Sequence, residues 1–278
     1  MTSLYRISLL RKFILPILQR FDFDIEISHP WVRGVKVKLN SFQHKGYWYH
    51  GKSREHSSML LFGLLVQPGF TVVEAGGHIG FISLYLASLV GRGGKVFVFE
   101  PGINNLPYIK HNLSQSDGKS LGQIILIEAA VGERNGTVAF FEESLTGQNN
   151  SVIADFQGLK RNRARSYVES SIYEREVKLI SLDSYFSNDT IDFIKIDIEG
   201  YEWFALQGAS DLIQRNRPGL MVEIQANQRE IFEWFQRCGY MLFSDDRIRL
   251  ERWNDLTGNV FCLHKEKHIH LLEKLKLQ

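Results

Sequence analysis

The strongest constraint on the fold is an alternation of short apolar runs and helical patterns in the middle of the chain. β-Rich apolar runs occupy residues 71–75, 95–100 and 123–131, and the segments 79–90 and 102–114 between them space their apolar residues as a helix does. Strands that alternate with helices form a parallel sheet with right-handed crossovers. The alternation therefore predicts a doubly wound α/β fold with helices on both faces of the sheet.

Four later runs complete the predicted sheet. Buried strands are expected over 191–200 and 219–225, and terminal strands near 240–244 and 259–264. A helix to about residue 213 and another over 228–238 connect these strands. The sheet is then seven-stranded and mostly parallel. The less regular segment 136–190, which precedes these four runs, contains three further short runs that predict strands, VAFF, NNSVIA and REVKLISL.

No internal repeat and no low-complexity linker divides the 278 residues, so one enlarged domain is preferred over two. We place this domain at residues 70–267. Residues 1–69 are expected to form an N-terminal extension with an amphipathic helix, short strands and a second helix. Residues 268–278 are expected to form a charged tail, and His264, His268 and His270 are expected to be exposed.

The charge balance argues against a general nucleic-acid-binding surface. Thirty-three basic and 31 acidic residues leave a net charge of +2, which is too small to attract a polyanion over the whole surface. Cys238 and Cys262 lie in apolar contexts without metal-ligand spacing, so a disulfide framework or a structural zinc is not expected. These features favour a reducing, cytoplasmic location and no nucleic-acid partner.

The first residues of the sequence combine basic and apolar side chains. Residues 6–21 repeat apolar side chains at helical spacing among arginine and lysine. The apolar run 13–18 is much shorter than the roughly 18–20 residues of a membrane span. The pattern predicts an amphipathic helix, and two alternatives are open for what its apolar face contacts. The helix makes peripheral contact with an anionic membrane at the inner surface, or it packs on the domain or on the second subunit of a homodimer.

The most informative chemical motif, VVEAGGHIG, follows the first strand of the alternating region. Gly76, Gly77 and Gly80 form a turn between a strand and a helix, where a ligand can approach the backbone closely. A dinucleotide fingerprint would need glycine where Ala75 stands, so NAD is disfavoured. Glu74 precedes the glycines and suits a cationic ligand such as S-adenosylmethionine, which carries a sulfonium and an ammonium group.

A second carboxylate ends the next strand, at Glu100. An acid in this position accepts hydrogen bonds from the two hydroxyls of an adenosine ribose, in S-adenosylmethionine and NAD alike. Glu100 therefore indicates an adenosine-containing ligand, and Glu74 favours S-adenosylmethionine as that ligand.

Taken together, the motifs resemble those of the FkbM family of S-adenosylmethionine-dependent methyltransferases, which have the class I Rossmann-like methyltransferase fold. The resemblance covers roughly residues 50–225. The matching phrases, in chain order, are EAGGHIG (74–80), FEP (99–101), AAVGERNG (129–136), SLDSYF (181–186), IKIDIEGYE (194–202) and LQGA (206–209). Glu74 and His78 depart from the aspartate and the asparagine that are usual in the family.

The resemblance implies both a cofactor site and a reaction. It places S-adenosylmethionine against Glu74, Gly76, Gly77, His78, Gly80, Glu100, Pro101, Ala130 and Asp197. It implies O-methylation of a hydroxyl on a glycan, a glycolipid or a related secondary metabolite, by in-line attack on the sulfonium methyl. No metal ligand is predicted. Two alternatives are an NAD-dependent sugar-modifying enzyme and a non-catalytic binding protein that retains the fold.

Asp197 and Glu199 are the candidate catalytic residues. They lie at and just beyond the carboxyl end of a predicted strand, where open α/β sheets place their ligands, and strand alternation puts both on one face. We assign Asp197 to the methionine end of the cofactor or to acceptor deprotonation. We assign Glu199 to orientation or deprotonation of the acceptor hydroxyl. Glu202 is either a site residue or an acid that begins the next helix.

Two further segments have alternative interpretations. The aromatic cluster 47–49 could stack on a sugar ring or form a lid packed on the core. The basic stretch 159–166 could hold a phosphate or form a solvated loop.

Overall fold

The fold is described from a computed structural model, which covers residues 20–116, 119–144, 146–156 and 171–274, with the backbone alone for residue 274. No helix within these ranges is long and apolar enough to cross a membrane.

Two predicted segments lie outside the described residues. One is the amphipathic stretch 6–21, of which only the last two residues are described, and the other is the basic stretch 159–166. The membrane, subunit and phosphate interpretations of these segments therefore stay predictions.

Strands and helices alternate through most of the described chain. The strands are β1 (Asp24–His29), β2 (Val32–Asn40), β3 (Thr71–Ala75), β4 (Lys95–Phe99), β5 (Gln123–Ile127), β6 (Ala130–Val131), β7 (Gly136–Glu143), β8 (Ile172–Ile180), β9 (Phe193–Ile196), β10 (Gly219–Ile224), β11 (Tyr240–Ser244) and β12 (Gly258–His264). The helices are α1 (Lys45–His50), α2 (His56–Leu65), α3 (Phe81–Val90), α4 (Leu106–Ser114), α5 (Leu182–Tyr185), α6 (Glu202–Gln207), α7 (Ser210–Asn216), α8 (Gln228–Arg237) and α9 (Ile269–Lys274).

A seven-stranded sheet with the order β11-β12-β10-β9-β3-β4-β5 runs through the centre of the molecule. β12 is antiparallel to both of its neighbours, and the pairs from β10 to β5 are parallel. Successive residues of β3 face opposite sides, because Val72 belongs to one apolar cluster and Val73 to the other. The predicted doubly wound, mostly parallel seven-stranded sheet is confirmed.

The strand register brings the predicted site residues to one edge of the sheet. Ala75, the last residue of β3, pairs with Phe99 of β4 on one side and with Ile196 of β9 on the other. The residues that follow these three, Gly76, Glu100 and Asp197, therefore leave the sheet side by side. Parallel strands open a crevice at this edge.

The N-terminal extension shares the core of the domain. Val37 and Leu39 of β2 are buried in the same apolar cluster as Val72. Asn112 of α4 fixes the β1–β2 hairpin, because its side chain accepts from the Lys38 N–H at 2.6 Å and donates to the Lys38 carbonyl at 2.9 Å. The expected short strands and the helix near residues 56–65 are present, and they pack as part of one unit.

A second, smaller sheet has the order β6-β8-β7. It contains two of the three short runs predicted to be strands, VAFF and REVKLISL. The third, NNSVIA, is not a strand, since within it Ser151 forms only an isolated bridge to Phe141. The Ser151 hydroxyl donates to the Glu199 carbonyl and accepts from the Ile153 N–H, so it directs this segment toward the edge of the main sheet.

The helix predicted after residue 200 is divided in two, α6 and α7, at Gly208. A Cβ on Gly208 would lie 2.0 Å from the Gly132 carbonyl oxygen, so only glycine allows this close approach.

The predicted exposed tail from residue 268 is corrected by the structure. Residues 269–274 form α9, with Leu272 buried in the core. His264 and His268 are also buried rather than exposed, and the His268 Nδ1 accepts from the His264 N–H at 2.9 Å. Leu271 and Leu272 of α9 supply an apolar face that the charges of this segment obscure in the sequence.

The glycine turn after β3 is required by the fold itself. Gly76 has φ 88°, and a Cβ there would lie 1.8 Å from the Asp197 carbonyl oxygen. A Cβ on Gly77 would lie 2.4 Å from Val98 Cγ1. The turn therefore packs against the end of β9 and against β4 more closely than any other residue type allows.

This close packing predicts a large difference between two glycine substitutions with the same backbone strain. Gly69 has φ 86°, and a Cβ added to it would meet no atom within 4 Å, so Gly69→Ala is expected to cost only the left-handed strain of about 1–2 kcal/mol. Gly76→Ala adds the collision with Asp197 and is expected to cost at least about 2 kcal/mol more. Urea unfolding of both variants measures this difference. Equal destabilisation would contradict the packing described for the turn.

Candidate functional site

The carboxyl edge of the main sheet opens into a cavity of about 270 Å³. Its floor is formed by the glycine turn and by the residues that follow β4 and β9. Its walls include Tyr47 and Arg54 from the N-terminal extension, and Phe140 and Val152 from the region of the smaller sheet. The main sheet, the N-terminal extension and the region of the smaller sheet thus all contribute residues to the lining of the cavity.

Lys195 is the central charge of the site. It lies within β9 and is 1% exposed. Its Nζ is 3.2 Å from Asp197 Oδ2, 3.5 Å from Glu74 Oε1 and 3.1 Å from the Gly76 carbonyl oxygen, to which it donates. Burial lowers the pKa of Lys195, but the charges of Asp197 and Glu74 outweigh burial and raise that pKa above its ordinary value. The ammonium group therefore stays charged.

Two carboxylates share this one ammonium group, and they respond differently. Burial raises the pKa of Glu74, which is also held by a hydrogen bond of 2.5 Å from the Ser83 hydroxyl. Burial would raise the pKa of Asp197 as well, but Lys195 and a hydrogen bond from Glu223 hold that pKa below its ordinary value. Lys195 thus keeps Asp197 ionised, whereas burial disfavours the ionised form of Glu74.

Asp197, Glu199 and Glu223 form a carboxyl cluster whose oxygens lie within 4.8 Å of one another. The charge of Asp197, together with burial, raises the pKa of Glu223 to about 10. Burial and the same charge raise the pKa of Glu199 to about 8. Gln225 donates to both glutamates at 2.9 Å. Near neutral pH the cluster therefore has one ionised member and two that hold protons.

Glu202 supports the turn between β9 and α6. It is buried, its Oε1 accepts from the Gly200 N–H at 2.8 Å, and it does not line the cavity. Glu199 has φ 57°, a strained left-handed backbone conformation, and the hydrogen bond from the Gly200 N–H to Glu202 helps to hold the turn in it. Of the two alternatives for Glu202, the structure favours the acid that begins the helix.

Glu100 lines the cavity beside the glycine turn. Its Oε2 accepts from the His78 N–H at 2.7 Å, and its Oε1 accepts from the Gly102 N–H at 2.8 Å and from Asn105 Nδ2 at 3.1 Å. Burial raises the pKa of Glu100 to about 7 against these hydrogen bonds, which lower it. Because each carboxylate oxygen accepts about two hydrogen bonds, Oε2 retains room for one more donor. The hypothesis drawn from the sequence, in which Glu100 accepts hydrogen bonds from both ribose hydroxyls, requires room for two donors.

The ring of His78 is held between two partners. Its Nε2 lies 3.2 Å from the Thr146 carbonyl oxygen, and its Nδ1 lies 3.0 Å from the Tyr47 hydroxyl. A carbonyl can only accept, so Nε2 carries the hydrogen and Nδ1 accepts from Tyr47. Burial lowers the pKa of His78 to about 4, and the ring is therefore neutral.

The aromatic cluster 47–49 is divided between the cavity and the surface. Tyr47 is buried against Phe81 and lines the cavity, whereas Trp48 and Tyr49 are exposed. Tyr47 thus fits the lid alternative.

Most of the predicted site residues meet in the cavity. Those that line it are Glu74, Gly76, Gly77, His78, Glu100, Pro101, Ala130, Asp197 and Glu199. Gly80 does not line it. Gly80 begins α3 with φ 81°, and a Cβ there would lie 3.1 Å from Ile109 and from Leu113. Its place in the structure is a helix start packed against α4.

Sequence reasoning missed several charged or polar side chains of the cavity, among them Lys195, Glu223, Asn105 and Arg54. Lys195 and Glu223 lie in strands predicted from their apolar runs, and a charge inside such a strand was the available signal. Asn105 falls in a segment whose spacing predicts a helix and indicates no role in a site. Arg54 lies in an extension whose position over the sheet edge has no local sequence signal.

The carboxyl cluster could hold a cation, since three carboxylates are ligands that Mg²⁺ and Ca²⁺ prefer. However, Lys195 already supplies a positive charge to Asp197, and the Gln225 amide already donates a hydrogen bond to each of the two glutamates. The expectation that no metal is bound stays a prediction.

Comparisons with known proteins add the following findings. The family profile described as Methyltransferase FkbM domain matches residues 74–242. The comparison with curated proteins gave no match. A crystal structure of the methyltransferase FkbM from Methylobacillus flagellatus KT is 16% identical, with a TM-score of 0.45, over 75% of this chain and 55% of that one.

Two other solved structures are similar at lower TM-scores. A putative rRNA-methylase from Clostridium thermocellum is 14% identical over 76% of this chain and 93% of that one, with a TM-score of 0.41. Fibrillarin from Aeropyrum pernix, crystallised with natively bound S-adenosyl-L-methionine, is 11% identical over 75% of this chain and 73% of that one, with a TM-score of 0.38. This chain spans about half the length of the Methylobacillus protein.

The matched region begins at Glu74, immediately before the glycine turn, and includes Glu100, Lys195 and the carboxyl cluster. It covers more than half of the chain. The chain belongs to the FkbM methyltransferase family, as the resemblance of its motifs predicted.

Proposed function

We propose that the protein is an S-adenosylmethionine-dependent O-methyltransferase that acts on a hydroxyl of a glycan, a glycolipid or a related metabolite. The observation that carries this proposal is the excess of carboxyl groups around one cavity at the carboxyl edge of the sheet. Six acidic side chains line the cavity beside two cations, Arg54 and Lys195.

The electrostatic character of the cavity favours a cationic cofactor. A sulfonium and an ammonium group are attracted by Asp197, which is ionised, and they favour ionisation of Glu199 and Glu223. The pyrophosphate of NAD would bring two negative charges into the same space. It would also meet a turn without the first glycine of the dinucleotide fingerprint. This supports S-adenosylmethionine over the NAD-dependent alternative.

The residues that line the cavity support binding of the adenosine end of this cofactor. One lone pair of Glu100 Oε2 is available for a ribose hydroxyl, beside the donors that already hold this carboxylate. Apolar side chains also line the cavity, among them Phe140 and Val152, and they suit the faces of an adenine ring. In this proposal the adenosine lies toward β4, and the methionine end lies toward β9.

Bound S-adenosylmethionine would supply a methyl group already activated by the adjacent positive sulfur. The residues of the chain then need to align the acceptor and to remove one proton. In this transfer the acceptor oxygen would form a bond to the methyl carbon as the carbon–sulfur bond broke and its electron pair returned to sulfur. Glu199 takes the hydroxyl proton, and a base with a pKa of about 8 is well matched to this transfer near neutral pH.

The first prediction concerns ligand choice. We expect isothermal titration calorimetry to detect binding of S-adenosylmethionine and S-adenosylhomocysteine but not of NAD. Glu100→Ala should weaken the binding of S-adenosylhomocysteine by about 1.5–3 kcal/mol, the scale of a hydrogen bond to a charged group.

Asp183→Ala is the matched control for this prediction. Asp183 is also a carboxylate that accepts backbone N–H groups, from Leu212 at 2.7 Å and from Asp211 at 3.1 Å, but it does not line the cavity. Its removal should leave the affinity unchanged. Binding of NAD, or equal loss of affinity in the two variants, would contradict the proposed site.

The second prediction separates Glu199 from Asp197. With methyl-labelled S-adenosylmethionine and an acceptor found among a panel of sugars and glycolipids, Glu199→Gln should reduce turnover by about 10²–10⁴. It should leave the affinity for S-adenosylhomocysteine, whose sulfur is neutral, near wild type. The wild-type kcat/KM should rise with pH through about 8, because the base must be ionised, and the variant should lose this rise. Asp197→Asn should reduce affinity and turnover together.

Glu202→Gln serves as the control for the turnover measurement. Glu202 is a neighbouring buried glutamate that lies off the cavity, so its amide variant should retain most of the activity. Full turnover in Glu199→Gln would make Glu199 a structural residue. The absence of methyl transfer to every acceptor, with cofactor binding intact, would favour the non-catalytic alternative.

A further inference from the structure

Arg54 places a second cation, after Lys195, at the wall of the cavity. It follows the short turn after α1 and lines the cavity with Tyr47 and Glu55. Its guanidinium lies over the Tyr47 ring, 4.2 Å from the ring centroid, and its Nη2 is 3.1 Å from Glu55 Oε1. A Cβ on Gly46 would lie 2.7 Å from Nη1, so the glycine of α1 makes room for this position.

Part of the Arg54 guanidinium has no partner. Its Nε is buried and makes no hydrogen bond within the described part of the chain. A buried N–H of a charged group is costly to leave without an acceptor. An arginine in this state, at the wall of a cavity, is ready to bind an anionic group that enters the cavity.

The other charged or titratable groups that could bind an anion in the cavity are already engaged. The three contacts of the Lys195 ammonium are Asp197, Glu74 and the Gly76 carbonyl. The His78 ring is neutral, with its N–H directed to the Thr146 carbonyl. Among the described lining residues, Arg54 is therefore the cation with a donor still available.

We infer that Arg54 binds the α-carboxylate of the methionine end of the cofactor. This inference rests on the proposed function and adds to it the residue that recognises the anionic end of the ligand. A carboxylate is planar with two acceptors, and it matches the parallel donors of a guanidinium.

The position of Arg54 fits this end of the ligand. The charge of Asp197 acts on Arg54, and both side chains line the cavity. The amino-acid end of the cofactor carries one positive and one negative group on the same carbon. Asp197 and Arg54 offer the opposite charge to each. Glu100 contributes to the other end of the cavity, where the ribose is proposed.

The test compares two ligands that differ only in the carboxylate. S-Adenosylhomocysteine and its decarboxylated analogue, which keeps the ammonium group, are titrated calorimetrically into wild-type protein and into Arg54→Gln. We expect the variant to bind S-adenosylhomocysteine about 10- to 100-fold more weakly and to bind the decarboxylated analogue within about twofold of wild type. Arg54→Lys should recover only part of the loss, because an ammonium lacks the paired donors.

Thermal unfolding of each variant provides the folding control, and Arg33→Gln, on β2 and outside the cavity, provides the control for loss of one arginine charge. Equal effects of Arg54→Gln on both ligands, or no effect on either, would overturn the inference while leaving the proposed function intact. Failure of the wild-type protein to bind either ligand would contradict the proposed function and the inference together.

Discussion

The site depends first on the buried ammonium group of Lys195. One positive charge in the middle of the sheet contacts a carboxylate on β3, the carbonyl of the glycine turn and the carboxylate that follows β9. Burying charged groups costs several kcal/mol each, and a buried ion pair returns that cost only with good geometry and additional hydrogen bonds. The main effect of the buried Lys195 is therefore to determine which carboxyl groups are charged, and its contribution to the stability of the fold is small.

The charge of Asp197 determines the state of its neighbours. Because Lys195 keeps Asp197 ionised, Glu223 and Glu199 retain their protons at pH values where isolated glutamates would have lost them. A cluster in this state can accept a cationic ligand by releasing protons, and it offers a base of suitable strength beside that ligand. The glycine turn contributes by bringing Gly76 against Asp197, so that the backbone and the charges of the site meet in one place.

The sequence predicted the sheet well because buried parallel strands leave apolar runs that local periodicity detects. β3 and β11 begin and end where their apolar runs do. Glu74, near the end of β3, and the residues that follow three of these strands, Gly76 and Gly77, Glu100 and Asp197, could also be predicted, since strand ends meet at one edge of an open sheet.

Other parts of the site could not be predicted in this way. Arg54 and Tyr47 reach the cavity through packing of the extension on α3 and α4, a long-range contact without a local pattern. Gly80 is predicted as a ligand contact and lies off the cavity, because a strand-to-helix glycine serves either ligand approach or packing, and spacing alone does not distinguish them. Lys195 and Glu223 could have been found, because a charged residue within an apolar strand needs a buried partner.

The central claim is that the carboxyl cluster holds protons that a cationic cofactor displaces, and proton release on binding tests it most directly. Titration calorimetry at about pH 6.5, in two buffers of different ionisation enthalpy, gives the number of protons released. We expect S-adenosylmethionine, with its positive sulfur, to release a measurable fraction of a proton more than S-adenosylhomocysteine, whose sulfur is neutral. The same proton count for the two ligands, or net proton uptake with S-adenosylmethionine, would contradict the account.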